Sequence, residues 1–232
     1  MPPYGFIFVA LSILDLVLAL RLGGGWLLLL WPAFAFGWVA VAYAFLKPGL
    51  MGKRADGSFP RWRRVLFLPH ALFSEGLWHL YAFLSPERAY DLVAPGIWVG
   101  RWPGARALPD GVEVVIDVTA ELPAHRSLTR SKRYVCLPAL DGAVPDEAAF
   151  RATVATFAEE FAPIYVHCAF GHGRSAMVAA GLLITRGLAH DATSAEQLMR
   201  RSRRLIGLTG QQRVYVERFA SDHRSAQIDT QK

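Results

Sequence analysis

The chain has 232 residues, 53% of them hydrophobic, and a formal net charge of +6. That excess splits into +4 over residues 1–84 and +2 over residues 85–232. A nucleic-acid binder concentrates basic charge on its folded domain, so no nucleic-acid partner is expected. The two cysteines, Cys136 and Cys168, are too few for a disulfide framework or a zinc site, and no metal or cofactor is expected.

Leu, Ala, Phe, Val and Trp dominate the first 84 residues. Gly5 to Leu20 is an apolar run broken by Asp15, a carboxylate that costs about 3 kcal/mol at mid-membrane. Arg21 to Gly25 makes a tight link. Trp26 to Leu46 then holds 21 residues without a charge, the length an α-helix needs to cross hydrocarbon. Trp26, Trp31 and Tyr43 lie toward its ends, where amphipathic rings favour the interface, and Pro32 is tolerable in its first turns. Residues 1–47 are therefore expected to form a transmembrane helical hairpin in contact with membrane lipid. A cleaved signal peptide fits poorly, because no positive charge precedes the apolar run. Lys47, Lys53, Arg54, Arg61, Arg63 and Arg64 follow, against Asp56 alone. Positive loops stay cytoplasmic, so the downstream domain is expected on that side.

Val65 to Leu84 is again near span length but carries Pro69, His70, Glu75, Gly76 and His79. It reads as one helix, or two short ones, lying in the interface. A third span is the alternative and would put the downstream domain outside, where a lone reactive thiol fares badly. Residues 48–93 are thus a basic linker with an interfacial helical segment.

From Pro95 the pattern alternates. Gly96–Gly100, Val112–Val118, Arg133–Pro138 and Pro163–Cys168 read as strands: short, β-branched, bounded by Pro, Gly or Asp. Phe150, Val154, Phe157 and Phe161 recur at helical spacing after Pro145-Asp146-Glu147, and Arg174–Gly187 is a second helical pattern. Thr193 and Glu196 suggest a capping box for a third, Ser194–Ile206. Ser225 to Lys232 reads as a polar, frayed tail. The order predicts an α/β fold, a central sheet flanked by helices.

Between the strand ending at Cys168 and the helix beginning near Arg174 lies Ala169-Phe170-Gly171-His172-Gly173. Backbone N–H groups of such a loop can converge on an anion, with the positive end of the helix behind them. Glycines let the backbone turn tightly and approach a bound group. The helix end and amide dipoles favour a sulfur anion on Cys168. The planar fork of Arg174 matches two phosphate oxygens, which lysine cannot copy.

His167-Cys168, five residues, then Arg174-Ser175 resembles the signature loop of the protein tyrosine phosphatase superfamily. The length from Ala94 onward and the stretch Ala94–Gly100 look like its compact dual-specificity branch. The resemblance implies a dual-specificity-phosphatase-like domain over residues 94–224, preceded by the hairpin. It also implies that Cys168 attacks phosphorus to give a phosphocysteine, that Arg174 and the loop amides of Ala169 to Gly173 hold the phosphate, and that Ser175 helps the thiolate leave. His167 would order the loop. An upstream aspartate would serve as general acid, later base: Asp141 on a mobile loop is preferred to Asp146, which reads as a helix cap. Gln212, or its neighbour Gln211, resembles the glutamine that orients hydrolytic water. Cys136 is expected to be a buried strand residue, with a protective disulfide to Cys168 as the alternative. Asp117 and Glu121 would buttress the loop. The Arg200–Arg204 cluster reads as a solvated basic face. The expected substrate is a phosphoprotein; a phospholipid is the second option, weakened because lipid enzymes of the superfamily usually carry Lys or Arg inside this loop and here only His172 is present. An inactive phosphate-binding scaffold is the third.

Overall fold

A computed structural model describes residues 3–103, 108–158, 160 and 162–230. The chain divides into two units, one of Met1–Ser85 with Ala120–Pro123 and one of Pro86–Thr119 with Ala124–Lys232.

In the first unit the apolar run forms α1 (Pro3–Leu22). Gly23 and Gly24 end it with φ of 60° and 52°, a backbone that residues with a Cβ resist. A six-residue 3-10 turn leads into α2 (Leu30–Ala44). Pro32 sits near the start of α2, where a missing N–H leaves no intrahelical bond unmade. Small residues let α1 and α2 approach: Ser12 Oγ donates to Ala33 O at 2.8 Å, and Gly37 lies against the same hydroxyl. Phe8 packs on Phe36 and Tyr43, at centroid distances of 6.1 and 5.7 Å. Among the described residues, Tyr4–Leu22 and Gly24–Ala44 are long and apolar enough to cross a membrane, by length and composition. Phe6, Ile13, Leu14 and Leu20 of α1 are exposed.

The segment read as one helix or two is two: α3 (Arg61–Leu66) and α4 (Leu68–Leu84), separated at Phe67 with Pro69 in the first turn of α4. Arg63, counted above among the basic residues that follow the hairpin, is buried. Its guanidinium stacks on Phe59 at 3.6 Å and donates to Met51 O. Burial lowers Arg63 to about 10, while Glu121 of the same unit acts in the opposite direction. Glu121, expected to buttress the signature loop, thus belongs to the helical unit.

The second unit is built on five strands: β1 (Tyr90–Ala94), β2 (Ile97–Gly100), β3 (Val114–Thr119), β4 (Arg133–Ala139) and β5 (Ile164–His167), in the order β1-β2-β5-β3-β4. All neighbours are parallel except the β1–β2 hairpin. The sequence reading left β1 in the linker. It is short and carries Asp91, so its pattern is weak; pairing with β2 across Pro95-Gly96 is what makes it a strand. Interior β3 is buried at every position, as a parallel strand covered on both faces must be.

The helices are α5 (Arg126–Ser131), α6 (Glu147–Ala158), α7 (Arg174–Thr185), α8 (Ala192–Arg200) and α9 (Gly210–Thr230). Helix α7 is the core element, buried from Arg174 to Ile184. Gly181 admits Phe150 and Val154 of α6, and Tyr215 and Phe219 of α9 meet Phe150 edge-on at 5.0 and 5.3 Å. Phe161 lies outside the described residues.

Two local expectations change. The cap of α8 is Asp191, which accepts from Ser194 N at 2.7 Å in a capping box with the Ser194 hydroxyl. Glu196 instead takes Arg213 and Leu208 N, a tertiary use that outcompetes the local one. The C-terminal stretch expected to fray continues α9 as far as Thr230.

Candidate active site

Strand β5 stops at His167 and α7 starts at Arg174, so the loop between them crosses the carboxyl end of the sheet directly against a helix N-terminus. Its carbonyls point outward to donors elsewhere. Ala169 O accepts from Trp102 N at 3.0 Å, His172 O from Gly207 N at 3.4 Å and Gly173 O from Met177 N at 2.9 Å. Phe170 O and Gly171 O accept from Arg203 at 3.0 and 2.8 Å. Peptide units so oriented turn their N–H groups to the inside, which is the geometry of an anion cradle. Gly171, at φ 78°, donates its N–H to Cys168 Sγ at 3.2 Å. A Cβ on this glycine would lie 2.5 Å from Gly100 O, so only glycine fits between the loop and β2.

Cys168 is buried, 3% exposed, and its sulfur is 3.4 Å from Ser175 Oγ. Arg174 is equally enclosed; Nη1 donates to Ala139 O at 2.9 Å and Nε lies 3.3 Å from Asp141 Oδ1. Asp141 is part-exposed on the turn after β4, where it accepts from Gly142 N at 3.1 Å. The loop thus joins Cys168, Arg174, Ser175 and Asp141 in one place. Asp146 does not join them: it accepts from Ala149 N at 2.9 Å at the start of α6, as a cap does.

Gln212 is fully buried, bonded to Ala143 O at 3.2 Å and to Thr209 N at 3.1 Å, and a Cβ on Gly173 would lie 3.0 Å from its Oε1. Gln211 is exposed. Of the two glutamines, Gln212 is the one that lies against Gly173 of the loop. His167 stacks on Tyr165 at 5.7 Å, with Nε2 3.9 Å from Asp117 Oδ2. Asp117 also accepts from the Tyr134 hydroxyl at 2.6 Å and from Thr119. Burial first, then the neighbouring Asp117, raises the Tyr134 hydroxyl far above its ordinary range, so it stays a donor.

Cys136, on β4, is in no disulfide and is half-buried, where a buried strand residue was expected. Asp117 pairs with Cys136 on one side and with His167 on the other. Cys136 and His167 are therefore two strand spacings apart, about 9.6 Å, against about 4.4–6.8 Å between the Cα atoms of a disulfide. Cys168 itself belongs to the core cluster that surrounds α7. The register argues against the disulfide alternative.

His172 does not reach into the cradle. Its Nε2 lies 2.7 Å from Glu87 Oε2. Arg203, read from the sequence as part of a solvated face, is buried and bonded to the loop; Glu87 and Asp91 are its carboxylate partners. Periodicity carried no signal for these three, because their partners lie up to 116 residues away.

Residues 105–219 match the family described as "PTP-SAK: Swiss Army Knife protein, DSP-PTPase phosphatase domain". No curated protein matches the chain in sequence. Among solved structures, the chain is similar to PTPMT1 crystallised in complex with PI(5)P, at 18% identity and a TM-score of 0.53, covering 60% of this chain and 98% of that one. It is similar to human DUSP28 at 18% identity and a TM-score of 0.51, covering 60% and 97%. The active form of Tk-PTP gives 22% identity and a TM-score of 0.50, covering 57% and 97%. The second unit therefore has the dual-specificity-phosphatase-like fold of the protein tyrosine phosphatase superfamily, with residues 105–219 as its phosphatase domain.

Proposed function

We infer that the protein is a membrane-anchored, cysteine-dependent phosphatase that hydrolyses phosphomonoesters on phosphotyrosine- and phosphoserine/threonine-bearing proteins. The observation that carries this reading is the loop itself: Gly171 N–H on the Cys168 sulfur at one end, Arg174 beside Asp141 at the other, and outward carbonyls between. The phosphate sits on the loop amides and exchanges Asp141 for itself on the Arg174 fork. The Cys168 thiolate attacks phosphorus, the P–O ester bond breaks, and Asp141 gives its proton to the leaving oxygen. Asp141 then takes a proton from water held near Gln212. That water attacks the phosphocysteine, the S–P bond breaks, and the Ser175 hydroxyl donates to the departing sulfur. Arg174 and the amides hold the charge on the equatorial oxygens throughout.

Residues 1–47 act as the anchor, residues 48–93 as the basic and interfacial linker, and the phosphatase domain lies on the cytoplasmic side. The exposed apolar side chains of α1 and the basic residues after α2 support this arrangement. The pairing of His172 with Glu87 supports a protein substrate, since it leaves the loop without a free cation for a second phosphate. A phospholipid substrate is the second reading, favoured by the apolar helices and by the likeness to PTPMT1, a protein crystallised with PI(5)P.

The test is hydrolysis by the full chain in detergent micelles of an aryl phosphate, phosphopeptides, and phosphatidylglycerophosphate or phosphoinositides presented in vesicles. Phosphopeptide turnover well above lipid turnover is expected; the reverse order establishes the lipid reading. Cys168→Ser abolishes turnover and keeps phosphate binding. Undiminished turnover by that variant refutes the nucleophile.

A further inference from the structure

We propose that Arg203 is the positioning residue of the phosphate cradle: from behind the loop it holds the Phe170–Gly171 and Gly171–His172 peptide units by their carbonyls, so that the N–H groups of Gly171 and His172 are turned to the inside of the loop. This rests on the function proposed above. A guanidinium has five N–H donors, and all five are committed here. Nε donates to Gly171 O at 2.8 Å; Nη1 to Arg88 O and Asp91 Oδ2, both at 3.0 Å; Nη2 to Phe170 O at 3.0 Å and Glu87 Oε2 at 3.1 Å. The side chain has no exposed surface. With no donor left, Arg203 cannot itself be a phosphate ligand. It acts through the loop.

The chemistry of the cradle explains the need. Amides can converge on an anion only if their carbonyls are turned away together, and each turned carbonyl must find a donor when buried. Backbone N–H groups serve Ala169, His172 and Gly173, and Arg203 donates to the carbonyls of Phe170 and Gly171. Those two belong to the middle of the loop, where Gly171 N–H also reaches the Cys168 sulfur. One planar side chain supplies both. Glu87 and Asp91 set the position of that plane, and Glu87 also binds His172, so the clamp holds three consecutive loop residues against the segment that leads into β1. Lysine has three donors on a single atom and cannot span two carbonyls and two carboxylates at once.

The experiment compares wild type, Arg203→Met, Arg203→Lys and the exposed neighbour Arg204→Met as full chains in micelles. It measures the inhibition constant of inorganic phosphate, KM and kcat for p-nitrophenyl phosphate, and the melting temperature. Arg203→Met is expected to raise both the phosphate constant and KM at least tenfold and to lower kcat, at a temperature where the protein is folded. Arg203→Lys is expected between that variant and wild type, and Arg204→Met equal to wild type. If Arg203→Met does not fold, Arg203→Lys carries the test. Phosphate constant and KM within twofold of wild type in the folded variants, with only the melting temperature lowered, overturn the clamp. A wild type that neither binds phosphate nor turns over ester overturns the proposed function instead, and the clamp with it.

Discussion

Replacing Gly171 by alanine tests the loop where its geometry is least forgiving. The residue holds φ 78°, a conformation that costs an L-residue about 1–2 kcal/mol. The new methyl would also lie 2.5 Å from Gly100 O and 2.7 Å from Arg101 N, well inside the ~3.5 Å of an ordinary contact. Both obstacles are backbone atoms and cannot rotate away. Relief requires the loop to move by nearly an ångström, which takes the Gly171 N–H off the Cys168 sulfur. Losing one such preorganised donor costs about 10²–10³ in kcat. The expected outcome is a loss of that size on p-nitrophenyl phosphate, with stability to denaturant lowered by at least 1–2 kcal/mol. Gly187→Ala separates the two effects. It has φ 69° with open space around its Cβ direction, so it should lose about 1–2 kcal/mol of stability and no activity. Activity of Gly171→Ala within threefold of wild type would refute the cradle.

Asp141→Asn should depress turnover of phosphopeptides far more than that of p-nitrophenyl phosphate, whose leaving group needs no proton. Asp146→Ala should cost about 1 kcal/mol through its cap and leave that ratio alone; a reversed pattern in steady-state assays reassigns the acid. Gly181→Ala gains about 1 kcal/mol of helix propensity, but its Cβ would meet Phe150 Cζ at 2.7 Å and Val154 Cγ2 at 2.9 Å. Overpacking costs about 1–3 kcal/mol, so a net loss in urea titration is expected, and a gain would contradict the packing of α6 on α7. His70 is buried beside Arg63, and both causes push its imidazole down to about 4, against about 6.5 when unfolded. The unfolded chain therefore takes up the proton first. Stability of the helical unit should be full above about pH 6.5 and fall by about 3 kcal/mol toward pH 4, followed by tryptophan fluorescence in micelles; His70→Gln should flatten that slope.

Contiguous features were legible in the sequence. The pair of apolar helices follows from the length and composition of two runs, in spite of Asp15 in the first, and the Cys168-to-Arg174 loop from residue types whose chemistry needs only a strand before and a helix after. Asp141 was preferred on local grounds, and it lies 3.3 Å from Arg174 Nε. What the sequence could not disclose is whatever depends on distant partners. Strand β1 exists because β2 pairs with it, and its own five residues carry too little pattern. The α8 cap moved to Asp191 because Glu196 has tertiary bonds worth more than a local one. Arg203 looks like any cation in a basic cluster until the fold brings Gly171, Phe170, Glu87 and Asp91 around it. Local residue chemistry determines what a short stretch can do, because its geometry is set by its own dihedrals. Which buried charges meet is decided by packing, since only the folded chain brings together groups a hundred residues apart and removes the water that would otherwise keep them apart.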